Sequence, residues 1–128
     1  MSESITELLA VTLDSPDAAR SAQFYADLTG GKVTGVYPEY GFAQAELLGQ
    51  TFNFQTVEDY TAPQWPSQTH PQQFHLDFRV DDLEASTAHA QSLGATVAQD
   101  PAGEGVTWRV MTDPDGHPFC LCPPGDQG

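Results

Sequence analysis

Positive charge is scarce in this chain. Four basic residues, Arg20, Lys32, Arg79 and Arg109, stand against eighteen acidic ones, and the net charge is −14. Nucleic-acid phosphates and anionic membrane surfaces are bound through clusters of Lys and Arg, so no nucleic-acid and no membrane partner is expected. No stretch approaches the roughly 20 apolar residues of a membrane span. The start, MSESITELLAV, lacks the basic and apolar regions of a secretion signal, so a cytoplasmic location is expected. Two cysteines, in a C-x-C arrangement, are too few for a disulfide framework and too close for an easy mutual bridge. Charged residues make up 17% and hydrophobic ones 39%, which suits a compact fold, and 128 residues suffice for one ordinary core, a single domain over 1–128.

What the chain does have is an internal repeat. At an offset of 65, Val11 falls on Leu76, Leu13 on Phe78, Asp17 on Asp82 and Leu28 on Leu93. One extra residue near Gly30 then sets Val33 opposite Val97. Late in each half the offset of 65 pairs Phe54 with Phe119 and Gln55 with Cys120.

Each half predicts the same elements. Residues 7–13 and 74–80 alternate as half-buried strands, with Leu9, Val11 and Leu13 on the inner face of one and Phe74, Leu76, Phe78 and Val80 on the inner face of the other. A helix follows each. Ser15 is expected as the first N-cap, with Pro16 in the first turn, Asp17 at the positive end of the dipole and Gly30 or Gly31 as the stop. Ala18, Ala22, Tyr25 and Leu28 recur at helical spacing, as do Leu83, Thr87, Ala90 and Leu93 before Gly94. Strands over 32–37, 41–48 and 51–57 complete the first half, and 95–99, 106–112 and 117–122 the second. Three prolines and polar residues mark 58–73 as a linker. The plan is β-α-β-β-β twice, an α+β fold with modules at 5–57 and 74–122.

Alternation also assigns the opposite face, which collects Ala10, Thr12, Asp14, Asn53 and Gln55 in the first half. In the second half it collects His75, Asp77, Arg79, Cys120 and Cys122. Sheets curved together would form a cup lined by these residues. Asp77 and Arg79 suit a charge pair in its wall, while Arg79 or Arg109 suits bidentate binding of a carboxylate or phosphate. Tyr60 and Trp65 suit stacking on a flat ligand, capping the core or contacting a second subunit. Cys120 reads as a small buried hydrophobe before it reads as a thiolate. DPDG at 113–116 is hairpin chemistry, with Pro114 at a fixed φ and Gly116 free to take positive φ, and His117 belongs to that turn or to the core.

The stretches QFHLDFRVDDLEAS (73–86), VMTDPDGHPFCLC (110–122) and FNFQTVEDYTAPQWP (52–66) are similar to the vicinal oxygen chelate superfamily, in particular its glyoxalase-like, bleomycin-resistance and dioxygenase-type members. The resemblance covers nearly all of the chain. It implies paired βαβββ modules forming a cup-shaped incomplete barrel, in a bacterial protein that forms a homodimer. In the metal-dependent members, His or Glu on the first and fourth strands of each module hold a divalent cation, which places the four ligand positions here at Ala10, Gln55, His75 and Cys120. Ala10 has no donor atom, Gln55 is a neutral donor and Cys120 suits only a soft ion. The implied activity is therefore binding of a small organic molecule in the cup without a full metal site. The alternative is a lyase, isomerase or dioxygenase using Zn, Ni, Fe or Mn held by His75, Gln55 and Cys120. For the binding reading the expected contacts are His75, Gln55, Cys120, Asp77 and Arg79, with Arg109, Trp65 and Tyr60.

Overall fold

A computed structural model describes residues 7–72, 75–100 and 107–125. The chain forms two compact units, residues 1–58 and 59–128. Each holds a four-stranded sheet with one α-helix. No helix among the described residues is long and apolar enough to cross a membrane.

In the first unit the elements are β1 (Val11–Ser15), α1 (Ala18–Thr29), β2 (Lys32–Tyr37), a 3-10 turn (Pro38–Tyr40), β3 (Phe42–Leu47) and β4 (Gln50–Thr56). The strand order is β1-β4-β3-β2, with β1 parallel to β4 and the other pairs antiparallel. Helix α1 buries Ala18, Ala22, Phe24, Tyr25 and Ala26. Small Ala43 and Ala45 on β3 let it approach closely, and Tyr25 stacks on Phe54 of β4 at 5.8 Å. The helix stops at Gly30 in the left-handed conformation. Gly31 is required next to it, because a Cβ there would lie 2.2 Å from the Glu46 carbonyl oxygen.

Two expectations for this unit are corrected. The first strand starts at Val11 rather than residue 7, since Val11 already pairs with Phe52, near the start of β4, and Leu9 is left 75% exposed. Ser15 is then the last strand residue, so Asp17 is the N-cap, its carboxylate accepting from the Arg20 N–H at 3.2 Å. Ser15 acts one step earlier, its hydroxyl accepting from the Asp17 N–H at 2.9 Å.

The second unit runs β5 (Leu76–Arg79), α2 (Leu83–Ser92), β6 (Thr96–Gln99), β7 (Arg109–Thr112) and β8 (Pro118–Cys122), in the order β5-β8-β7-β6. Asp82 caps α2 by accepting from Ala85 N–H, as Asp17 caps α1. Phe74 and Val106, expected at strand starts, lie outside the described residues, as do residues 5, 6 and 73. The DPDG hairpin forms as its residues require. Asp113 Oδ1 accepts from the N–H groups of Asp115 and His117, and Gly116 takes φ 91°. The segment expected as a linker packs on this unit. Tyr60 donates to the Asp115 carbonyl at 2.8 Å, and Trp65 donates to Gln99 at 3.2 Å.

The repeat is real, but its offset drifts. The N-caps keep the offset of 65. Both second strands carry a bulge at the same place, Val33/Gly35 and Val97/Gln99, an offset of 64 that matches the expected Val33–Val97 pairing. The last strands differ. Thr12 pairs with Asn53 and Asp77 pairs with Cys120, so the counterpart of Cys120 is Asn53, and Gln55 is level with Cys122. A longer β6–β7 connection and a longer final hairpin add residues that a fixed offset cannot follow.

Candidate functional site

The helix-free face of the first sheet carries exposed Asp14 and Glu46 beside a row of uncharged polar side chains. Thr34 donates to Gln44 Oε1 at 3.2 Å, and Gln44 Nε2 donates to Asn53 Oδ1 at 3.0 Å. These side chains satisfy one another in a row across β2, β3 and β4. Ala10, Thr12 and Asp14 share that face on and just before β1, and Gln55, level with Asp14, is exposed at the far end of β4.

The same face of the second sheet is chemically different. Register pairs Cys120 with Asp77 on one side and with Val110 on the other, and Val110 with Gln99. His75 precedes β5 by one residue, and its Nε2 lies 3.2 Å from Asp77 Oδ1. One donor atom from each of His75, Asp77 and Cys120 lies within 4.8 Å of the others. Trp65 and Trp108 pack against Val110, Cys120 and Cys122, and the Trp65 ring meets His75 edge-on at 6.1 Å. Cys120 is 3% exposed. Burial, then the nearby negative charge of Asp77 and a hydrogen bond to it, push the Cys120 thiol up to about 12. It is a neutral thiol at ordinary pH.

The remaining expected residues sit elsewhere. Arg109 is buried on the helix side of β7, where Ala43 sits in the first unit by register. It donates to Thr87 and Glu84 of α2 at 2.8 and 3.0 Å and lies 2.9 Å from Asp100. Those carboxylates raise its pKa. It therefore latches α2 to β7, and a ligand on the other face does not reach it. Arg79 donates to the carbonyl oxygens of Cys122 and Pro123, while the Asp77 carboxylate lies 3.2 Å from His75 Nε2. Tyr60 is engaged with the final hairpin, its ring 6.1 Å from His117. Two residues of this face were missed: Gln99, which holds Trp65, and Trp108. Trp108 shares parity with Val110, so extending the strand alternation backwards would have found it.

A family model described as a glyoxalase-like domain matches residues 10–122. No curated protein matches the chain in sequence. Among solved structures, a glyoxalase/bleomycin resistance protein/dioxygenase family enzyme from Burkholderia phytofirmans is 18% identical, covers 91% of this chain and 97% of its own, and superposes with a TM-score of 0.67. A fosfomycin resistance protein from Mesorhizobium loti is 14% identical, with 92% and 91% covered and a TM-score of 0.68. An antibiotic-binding protein from a Streptomyces species is 20% identical, with 97% and 100% covered and a TM-score of 0.61. At these identities the likeness carries the fold alone.

Proposed function

The chain belongs to the glyoxalase-like domain family, and within it we propose that this protein binds a small organic molecule on the helix-free face of its second sheet. One observation carries the reading. Trp65 and Trp108 pack on Val110, Cys120 and Cys122, and Trp65 meets His75, whose side chain is 29% exposed and lies 3.2 Å from that of Asp77, 43% exposed. Aromatic walls beside a few oriented polar groups are the usual make-up of a small-molecule site. The surplus of acidic residues draws cationic molecules toward it, and drug-like aromatic cations fit both properties. That the fold is shared with an antibiotic-binding protein agrees with a small organic ligand.

The four-ligand metal site that the family resemblance implies does not fit this chain. Ala10 has no donor atom, and Gln55 stands level with Cys122 rather than Cys120. The convergence of His75, Asp77 and Cys120 favours a second reading, a metal-dependent lyase, isomerase or dioxygenase, with a borderline-soft cation held by those three side chains. Such a cation would polarise the vicinal oxygens of a substrate. It would first have to displace the Cys120 proton.

A thermal-shift screen of small aromatic and cationic molecules tests the binding reading. Stabilisers should be found, and at 100 times its Kd a binder adds about 2.7 kcal/mol. Trp65→Ala should remove the shift. A screen that yields only metal ions, together with about one equivalent of bound metal lost on His75→Ala, would replace this reading with the second.

A further inference from the structure

In the second unit Arg109 on β7 fills the space between α2 and the end of β6, where Glu84, Thr87 and Asp100 hold it. The first unit has the same station with none of those groups. Counted from the two N-caps, Ala19 stands where α2 has Glu84, and Ala22 where it has Thr87. Val36, one residue past Gly35 on β2, stands where Asp100 follows Gln99, and it pairs with Ala43, the counterpart of Arg109. Alanine and valine thus replace an arginine and its partners. A notch of about 230 Å³ lies open there, with Ala19, Val36, Pro38 and Phe42 in its walls.

Pockets for drug-sized ligands run to about 300–1,000 Å³, so this one has room for a molecule of about one ring. Alanine, valine and proline present rounded hydrocarbon surface, and Phe42 is the single aromatic wall. A compact saturated body therefore suits the notch better than a flat ring that needs a stacking partner on each face. Asp17 lines the same notch and is exposed. Its carboxylate, within a chain of net charge −14, favours a cationic end on the ligand. An anion is disfavoured, because the first-turn N–H groups of Ala18 and Arg20 are already taken, by Thr56 Oγ1 at 3.0 Å and Asp17 Oδ1 at 3.2 Å.

We propose that this notch is a second binding site, separate from the face of the second sheet, for a small amine with a compact saturated hydrocarbon body. The body rests against Ala19, Val36 and Pro38, and the ammonium pairs with Asp17. The site is independent of the binding reading above, which concerns other residues and aromatic ligands.

The probe is cyclohexylmethylamine, titrated at low salt and neutral pH into the nitrogen-labelled whole protein, with cyclohexylmethanol as its neutral twin. So small a ligand should bind with a Kd of about 1 mM. Saturating shifts are expected on the amides of Ala18, Ala19, Val36, Phe42 and Thr56. The amine should bind about two- to fivefold more tightly than the alcohol, which is the worth of an exposed ion pair. Asp17→Asn keeps the helix cap, since asparagine caps as well as aspartate, and should bring the amine down to the affinity of the alcohol. Ala19→Leu, at an exposed helix position, fills the notch and should abolish binding of both. The comparison of amine with alcohol on the wild type needs no variant to fold. Shifts that do not saturate, shifts centred on Trp65 and Trp108, or binding unaltered in Ala19→Leu overturn the site. An alcohol bound as tightly as the amine, or an Asp17→Asn variant that binds the amine as well as the wild type does, overturns the ligand class.

Discussion

The two sheets share strand order, pairing sense, bulge position and helix cap, yet the matching stations of their helix-free faces hold different groups. The first presents Ala10, Thr12, Gln44 and Asn53, of which the two amides are satisfied within the sheet. At the matching stations the second presents His75, Asp77, Val110 and Cys120, flanked by two tryptophans. On the helix side the contrast reverses. The first unit packs aromatic rings and alanines, whereas the second puts Arg109 where the first has Ala43. One backbone plan thus tolerates either content on either face. The reactive groups are concentrated in the second unit, and the first contributes a conventional core.

Substitutions separate these roles. Phe54→Ala should cost about 3–5 kcal/mol in a denaturant titration, because it empties the space beneath Tyr25. Cys120 should react with iodoacetamide about a thousandfold more slowly at pH 8 than an ordinary thiol, followed by mass spectrometry, since almost none of it is thiolate. The same displacement has a stability consequence. The unfolded chain releases that proton near its ordinary value of 9.0 and the folded one only near 12. The contribution is therefore whole below about 9 and is lost as pH rises toward 12, and Cys120→Ser should remove that slope. Arg109→Ala should cost roughly 1–3 kcal/mol, less than a sealed ion pair would, because the Glu84 it leaves is 81% exposed and stays hydrated. The smallest effect belongs to Asp77→Asn, which should speed Cys120 alkylation several-fold at most. Burial, the larger cause of the raised thiol, is untouched. A Cys120 as reactive as a free thiol, or an Arg109→Ala as costly as Phe54→Ala, would break the contrast.

Element order and the inner faces were legible in the sequence because both rest on local periodicity. Phe52, Phe54, Phe119 and Leu121 are buried toward the helix side, and β2 runs over 32–37 as expected. Pairing register was not legible. It depends on loop lengths between strands distant in sequence, so carrying one offset from the helices to the last strands set Gln55, rather than Asn53, opposite Cys120. Strand parity placed His75, Asp77 and Cys120 on one face, but not the Asp77–His75 contact, which needs side-chain distances. Arg109 misled for another reason. A scarce cation was read as a ligand contact, although it is buried on the opposite side with partners on α2 and in the connection after β6. The proline-rich stretch was read as a linker with Trp65 as a ligand contact or core cap, and Trp65 is held there by Gln99.

Chemical-shift perturbation in a nitrogen-labelled sample, titrated with a stabilising aromatic compound, tests where the chemistry resides. The largest shifts should fall on Trp65, His75, Asp77, Trp108 and Cys120, with Thr34, Gln44 and Asn53 nearly unmoved. Shifts centred on the Thr34–Gln44–Asn53 row, with the second sheet silent, would contradict it.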